Sequence, residues 1–348
     1  MAQNYRPQLD GIRAFCIIFT IVNHVPGKPD YIDGTVGVDV FFALSGWLIT
    51  WLLLEERRSA GAIDLKAFYI RRFFRIVPLY YFTIVVYAAA AVLFFLATAS
   101  SAKIQELREA IAYLLTFNSE YRSSEAGTVF GHAWTLGIEE KFYVVWPALI
   151  VIFRKWVFRS VVCAAVSVSI LIAAFGYNDF LARGYFGLGF GAGAALLVDR
   201  SPRSLKWLHD RSLAGAALCS MAGMYVGLIL MPNVLWSLGI AASAAIMIGS
   251  LWFRQGQILS RFLSSGPLPW LGTLTYAIYL FQSLAINVGQ VIVNRVHAPQ
   301  NFVLVFIASY CVAVLVAWIV HALVERPCIA YGRKLVRLAK TPPRLEVA

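Results

Sequence analysis

The sequence predicts an all-α integral membrane protein, a polytopic bundle of about ten transmembrane helices. Hydrophobic residues make up 60% of the chain and charged residues only 14%, and the mean hydropathy is +0.71. A soluble domain of 348 residues does not have enough interior for that much apolar surface. Long apolar stretches recur along the chain, as in a protein that crosses the bilayer many times.

Ten stretches approach or reach the length needed to cross about 30 Å of hydrocarbon. They cover residues 12–25, 36–54, 76–99, 134–153, 160–176, 182–198, 212–231, 234–253, 270–293 and 302–324. The first is short, and the fifth and sixth are marginal. The first run is expected to stay in the protein as a helix, because Asp10 and Arg13 interrupt the pattern of a cleavable signal peptide.

The distribution of Lys and Arg predicts the orientation. With the N-terminus inside, the inner segments hold 23 of these residues and the outer segments hold 6. This bias predicts that both termini are cytoplasmic. It also accounts for the net charge of +12, so no nucleic-acid partner is needed to explain that charge. The five scattered cysteines predict neither a disulfide framework nor a metal site.

Two connections between spans are predicted to form helices at the membrane interface. Residues 64–75 form an aromatic and basic segment at the inner interface, for which Asp64 is the predicted N-cap. Residues 103–117 space their apolar side chains at helical intervals. They predict an amphipathic helix that roofs the outer side of the bundle.

The first span carries two polar residues that are costly to place in a bilayer, Arg13 and His24. Their eleven-residue separation corresponds to about 16 Å along a helix. This places a guanidinium at the inner face and an imidazole more than halfway across the membrane. Alternatively, the arginine snorkels to the interface and the histidine bonds a neighbouring helix.

The second and fourth spans also contain polar groups. Asp39 lies near the outer end of the second span, and Ser45 lies at mid-depth beside Gly46, where small residues also allow close helix packing. In the fourth span Glu139 shares a face with aromatic residues, about 8–10 Å below the outer surface. His24 lies at a similar depth, so a base and a supporting carboxylate are predicted at one level.

Three arginines, Arg71, Arg72 and Arg75, fall within about one helical turn at the inner face. A topology signal alone does not require arginine three times, whereas the planar guanidinium suits bidentate phosphate binding.

Six segments resemble, in order, the acyltransferase-3 family of bacterial membrane acyltransferases. They are LDGIRAF with its following NH, GVDVFFALSGWLIT, FYIRRFFRIVPLYY, WTLGIEEKFYVVWP, WLGTLTYAIYL and VERP. The resemblance covers about residues 5–330. It implies about ten membrane helices and an enzyme of the bacterial inner membrane that uses cytoplasmic acyl-CoA, commonly acetyl-CoA. Its acceptors would be hydroxyls of carbohydrates such as exopolysaccharide, lipopolysaccharide or related glycoconjugates.

The resemblance also assigns residues. The family's Arg-x10-His motif falls on Arg13 and His24, its arginine motif on the triplet before the third span, and its W-x-L-x-x-E element on Trp134, Leu136 and Glu139. One departure is visible, because Gln282 stands where histidine is common, and no proton-transfer role is expected there.

We expect residues 1–330 to form the acyltransferase-like membrane domain and residues 331–348 a basic cytoplasmic tail. We also expect the chain to lack the extracytoplasmic hydrolase-like domain that some family members carry.

The mechanistic hypothesis places acyl-CoA phosphates on the inner arginines, with Arg13 and Ser45 also on the donor path, and the thioester at the level of His24. His24 then acts as general base or forms a transient acyl-imidazole. Either Glu139 or Asp39 orients the imidazole, with direct contact expected from Glu139. The mechanism involves no metal ion.

The main alternative is a proton-coupled transporter or flippase of a glycan or lipid-linked substrate, because buried His, Asp and Glu side chains also suit such a carrier. The chain shows no repeat between its halves, and the buried charges cluster in spans one, two and four. An inert receptor or scaffold does not explain those charges.

Overall fold

The protein is described from a computed structural model that covers residues 5–122, 130–152, 179–200, 212–253, 256–297 and 301–340. Within these ranges the chain is helical, which confirms the all-α class. The α-helices are α1 (Pro7–His24), α2 (Val36–Ala60), α3 (Leu65–Thr98), α4 (Ala102–Leu115), α5 (Trp134–Ile152), α6 (Asp179–Arg200), α7 (Leu213–Leu230), α8 (Val234–Phe253), α9 (Ile258–Leu263), α10 (Leu268–Arg295), α11 (Phe302–Val320) and α12 (Arg326–Lys340).

Seven helices of the described ranges are long and apolar enough to cross a membrane: α2, α3, α6, α7, α8, α10 and the continuous run of α11 into α12. Each corresponds to a predicted span. The first and fourth predicted spans form α1 and α5, which carry charged residues along their length. The predicted span 160–176 lies outside the described residues.

Small residues allow the central helices to approach closely. Gly46 of α2 lies against the backbone of Leu188 in α6, and Gly191 of α6 lies against Ala43 in α2. Any side chain larger than hydrogen at these positions would collide with backbone atoms. Helix α1 packs between α2 and α10, with Asp10 buried, Arg13 half-buried and His24 accessible.

The two interfacial connections predicted at residues 64–75 and 103–117 are helical. The Asp64 carboxylate accepts a hydrogen bond of 2.9 Å from the amide of Ala67, which confirms the predicted cap. The basic segment it starts is the first third of α3, which runs on through Pro78. The predicted outer helix is α4, and the hydroxyls of Tyr80 and Tyr81 donate to backbone carbonyls at its end.

The end of the described chain packs on the bundle. A π-helical turn, His321–Glu325, joins α11 to α12. Gly332 of α12 lies against the ring of Phe74 in α3, and Tyr331 stacks edge-on against the same ring. Helix α12 therefore crosses the predicted boundary at residue 330 without a break, and the division into domain and tail stays a prediction.

Candidate active site

His24 ends α1 and presents its ring to an accessible space. Its Nδ1 lies 2.7 Å from the backbone carbonyl oxygen of Thr20. A carbonyl only accepts hydrogen bonds, so Nδ1 carries the proton and Nε2 keeps the lone pair. The orienting group is therefore a turn of the same helix rather than a carboxylate, which corrects the expected arrangement.

A second imidazole lies beside the first. The rings of His24 and His132 are 6.3 Å apart between centroids, at an interplanar angle of 69°. His132 is buried in a short 3-10 turn before α5. Burial, together with nearby His24, lowers the pKa of His132 to about 3, so this ring is neutral at physiological pH.

Hydroxyl groups from α5 and α10 complete the histidine end of the site. The hydroxyls of Thr135 and Tyr279 are 2.6 Å apart. Tyr279 also donates to the backbone carbonyl of His132, and its ring meets the His132 ring at 90°. These bonds tie α10 to the start of α5, next to the ring of His132.

Glu139 lies one helical turn further along α5 than Thr135, and it does not contact His24 in the described structure. Its carboxyl group lies beside the hydroxyls of Ser45 and Tyr143 and within electrostatic range of Arg72. One carboxyl oxygen, Oε1, is buried and has no hydrogen-bond partner among the described residues. The expected direct contact with the imidazole is thus wrong, and the carboxyl group sits between the histidines and the inner arginines.

Asp39 is fully buried and forms an ion pair with Arg183 of α6. The guanidinium donates to both carboxylate oxygens, at 2.8 and 2.9 Å, and also to the backbone carbonyl of Thr35. Both oxygens are therefore engaged between α2 and α6. This arrangement does not provide the support for His24 that was considered for Asp39, whose catalytic role stays a prediction.

At the opposite end of the site, Arg13, Arg72 and Arg75 lie close enough to interact electrostatically. The guanidinium of Arg72 lies 5.3 Å from the ring centroid of Tyr143. Arg75 is exposed, while Arg72 and Arg13 are half-buried. Arg13 donates a hydrogen bond of 2.6 Å to Asp10, so part of its charge is balanced. The cluster remains strongly cationic.

Arg71 is directed to a different neighbour. Its guanidinium lies 3.4 Å from the carboxylate of Glu56 at the end of α2. The predicted triplet is thus divided, with two of its members joining Arg13 and the third forming an ion pair near the surface.

Gln282 is completely buried, and neither polar atom of its side chain has a hydrogen-bond partner in the described residues. Sequence reasoning underrated His132 and missed Tyr279 and Arg183. For His132 a signal was present, because it lies two residues before the Trp134 motif. The described ranges contain no group of three or more His, Cys, Asp or Glu side chains placed to hold a metal ion.

Comparisons with known proteins identify a family and similar proteins. Residues 6–322 match the acyltransferase-3 family model, described as an acyltransferase domain. The chain is 29% identical over 310 residues to "Peptidoglycan O-acetyltransferase OatA" of Listeria monocytogenes, covering 80% of this chain and 49% of the relative. It is 28% identical over 359 residues to "O-acetyltransferase OatA" of Staphylococcus aureus, covering 95% of this chain and 58% of the relative.

A third similar protein is "Putative peptidoglycan O-acetyltransferase YrhL" of Bacillus subtilis, which is 29% identical over 312 residues, covering 80% of this chain and 48% of the relative. The chain thus spans about half the length of the curated relatives it matches. No solved structure matches it significantly.

Proposed function

Because the chain belongs to the acyltransferase-3 family, we propose that it transfers an acyl group, in the first instance acetyl, from cytoplasmic acyl-CoA to a carbohydrate hydroxyl. The acceptor is a glycan of the bacterial cell envelope. Peptidoglycan is the first to test, because two relatives are named for it. Exopolysaccharide and lipopolysaccharide are the further acceptors. The proposed chemistry uses no metal ion.

The observation that carries the proposal is the series of polar groups that joins the inner arginines to His24. Arg13 and His24 lie on one continuous helix, about 16 Å apart by the rise per residue. Glu139 lies between these levels with Ser45 and Tyr143. A long acyl donor with phosphates at one end and a thioester at the other would match both ends of this series.

Each end has a distinct role in the reaction. Arg72, Arg75 and Arg13 bind the donor phosphates, since guanidinium groups form charge-assisted bonds to phosphate. Nε2 of His24 takes the proton of the acceptor hydroxyl as the oxygen attacks the thioester carbon. The C–S bond breaks, and the proton passes to the CoA thiolate.

The proposed placement in the membrane follows the charge distribution. We propose ten spans with both termini cytoplasmic, in the bacterial inner membrane, with residues 1–330 as the catalytic membrane domain and 331–348 as a basic tail. Acyl-CoA then approaches the arginines from the cytoplasm, and the acceptor approaches His24 from the outer side.

Purified protein in lipid vesicles, supplied with acetyl-labelled CoA and peptidoglycan fragments, tests the proposal. We expect labelled O-acetyl esters on the glycan and one free CoA thiol for each ester formed. The transporter alternative predicts that labelled glycan crosses the vesicle membrane without ester formation. That result, with no ester on any envelope glycan offered, would contradict the proposal.

A further inference from the structure

His132 is a buried titratable group that the proposed reaction does not use. Its Nδ1 lies 3.2 Å from the hydroxyl of Ser283, whereas its Nε2 is buried without a partner in the described part of the chain. Leaving a polar atom unpaired in a protein interior is costly. An unpaired Nε2 beside the ring of His24 therefore indicates a functional role for this atom.

The surroundings of His132 fix its ring. Phe130 packs edge-on at 4.9 Å between centroids, and Tyr279 packs edge-on at 5.0 Å. The phenol of Tyr279 also bonds the backbone of His132. Its Nδ1 lies beside Ser283, and the imidazole is within hydrogen-bonding reach of the backbone carbonyls of Tyr279 and Leu280. Because Nε2 has no partner among the described residues, the proton that meets these carbonyls is on Nδ1, and Nε2 keeps the lone pair. The ring therefore has little freedom to rotate, and the ring of His24 lies 6.3 Å away between centroids.

We propose that His132 is a positioning residue for His24, whose unpaired Nε2 stabilises the His24 ring when that ring carries the proton of the acceptor hydroxyl. This inference rests on the proposed function. A lone pair held beside a ring that becomes cationic favours the charged form, and it is already in place before the reaction starts. His132 itself stays neutral, as its low pKa requires, and no proton is added to it or lost from it.

Three substitutions test the two ring nitrogens of His132 separately from the packing of the ring. His132→Phe keeps the ring packing and removes both nitrogens. His132→Gln places a polar atom near the Nε2 position, and His132→Asn places one near the Nδ1 position that meets Ser283. Each variant is assayed in vesicles for kcat and for KM of acetyl-CoA, with the amount of folded protein measured by size-exclusion chromatography.

We expect His132→Phe and His132→Asn to lower kcat by about 100-fold, at the lower end of the range for groups that assist proton transfer. His132→Gln should recover most of that loss, to within about tenfold of the wild type. KM for acetyl-CoA should change little in all three, because the inner arginines are untouched.

Two outcomes would overturn the inference. If His132→Phe keeps nearly full kcat, the ring is only packing. If His132→Asn outperforms His132→Gln, the bond to Ser283 is the important one. A wild-type protein that forms no ester would instead contradict the proposed function, so the two failures are distinguishable.

Discussion

The two ends of the candidate site differ in the charge of the groups that form them. At the histidine end, an accessible imidazole lies beside a backbone carbonyl and a second imidazole, and two hydroxyls lie next to that second imidazole. At the arginine end, three guanidinium groups lie together, and the guanidinium of Arg72 lies over the rings of Phe68 and Tyr143. Neutral, rigidly placed groups suit proton transfer, and clustered cations suit the binding of a polyanion.

Because the two ends differ in this way, mutations should separate catalysis from donor binding. Changes at the histidine end should lower kcat, and changes at the arginine end should raise KM for acyl-CoA. Glu139 lies between the two ends, so its effects should be mixed.

The largest effect is expected for His24→Ala, which removes the reacting base. We expect kcat to fall by about 100- to 10,000-fold, the range found when a general base is lost, with expression unchanged. Radiolabelled acetyl transfer to glycan measures this. His297→Asn is the matched control, because His297 is an exposed histidine in a left-handed conformation that asparagine tolerates. Activity of His24→Ala within tenfold of the wild type would place the base elsewhere.

Asp39→Asn should act on stability more than on catalysis. It leaves the guanidinium of Arg183 buried without its counter-ion, which typically costs about 3–5 kcal/mol. Thermal unfolding in detergent should show a lower Tm, while kcat per folded molecule changes less than in Glu139→Gln. The double variant with Arg183→Gln should regain part of the loss. An unchanged Tm would show that the ion pair does not hold α2 to α6.

Arg72→Ala and Arg75→Ala should each raise KM for acetyl-CoA by about 10- to 150-fold, the cost of one charge-assisted phosphate contact. KM for the acceptor should move little. Arg71→Ala is the control on the same helix, and its KM should stay within about threefold of the wild type, because an exposed ion pair contributes little. An equal rise in KM from all three substitutions would contradict the assignment of Arg72 and Arg75, but not Arg71, to donor binding.

Glu139→Gln should lower kcat/KM for acetyl-CoA by about tenfold. The amide keeps the shape of the side chain and loses the charge that faces Arg72. Steady-state kinetics with varied donor concentration separates kcat from KM. A fall confined to kcat, with KM for acetyl-CoA unchanged, would contradict a role for this carboxyl group in donor binding.

Local sequence patterns predicted most of the described helices, His24 at one end of the site and the arginines at the other. The Arg13 and His24 spacing is a property of one helix, and the inner arginines lie within one turn of another. The partners across helices were not predictable in this way. The pairing of Asp39 with Arg183, the diversion of Arg71 to Glu56 and the burial of His132 depend on how distant helices pack, which periodicity does not encode.

The separation of donor binding and chemistry at opposite ends of the site is tested by equilibrium binding of acetyl-CoA to the His24→Ala protein. We expect a Kd within about threefold of the wild type, a difference below 1 kcal/mol, in a protein whose acetyl transfer is slowed by about 100-fold or more. A loss of acetyl-CoA binding in a folded His24→Ala protein would contradict this separation.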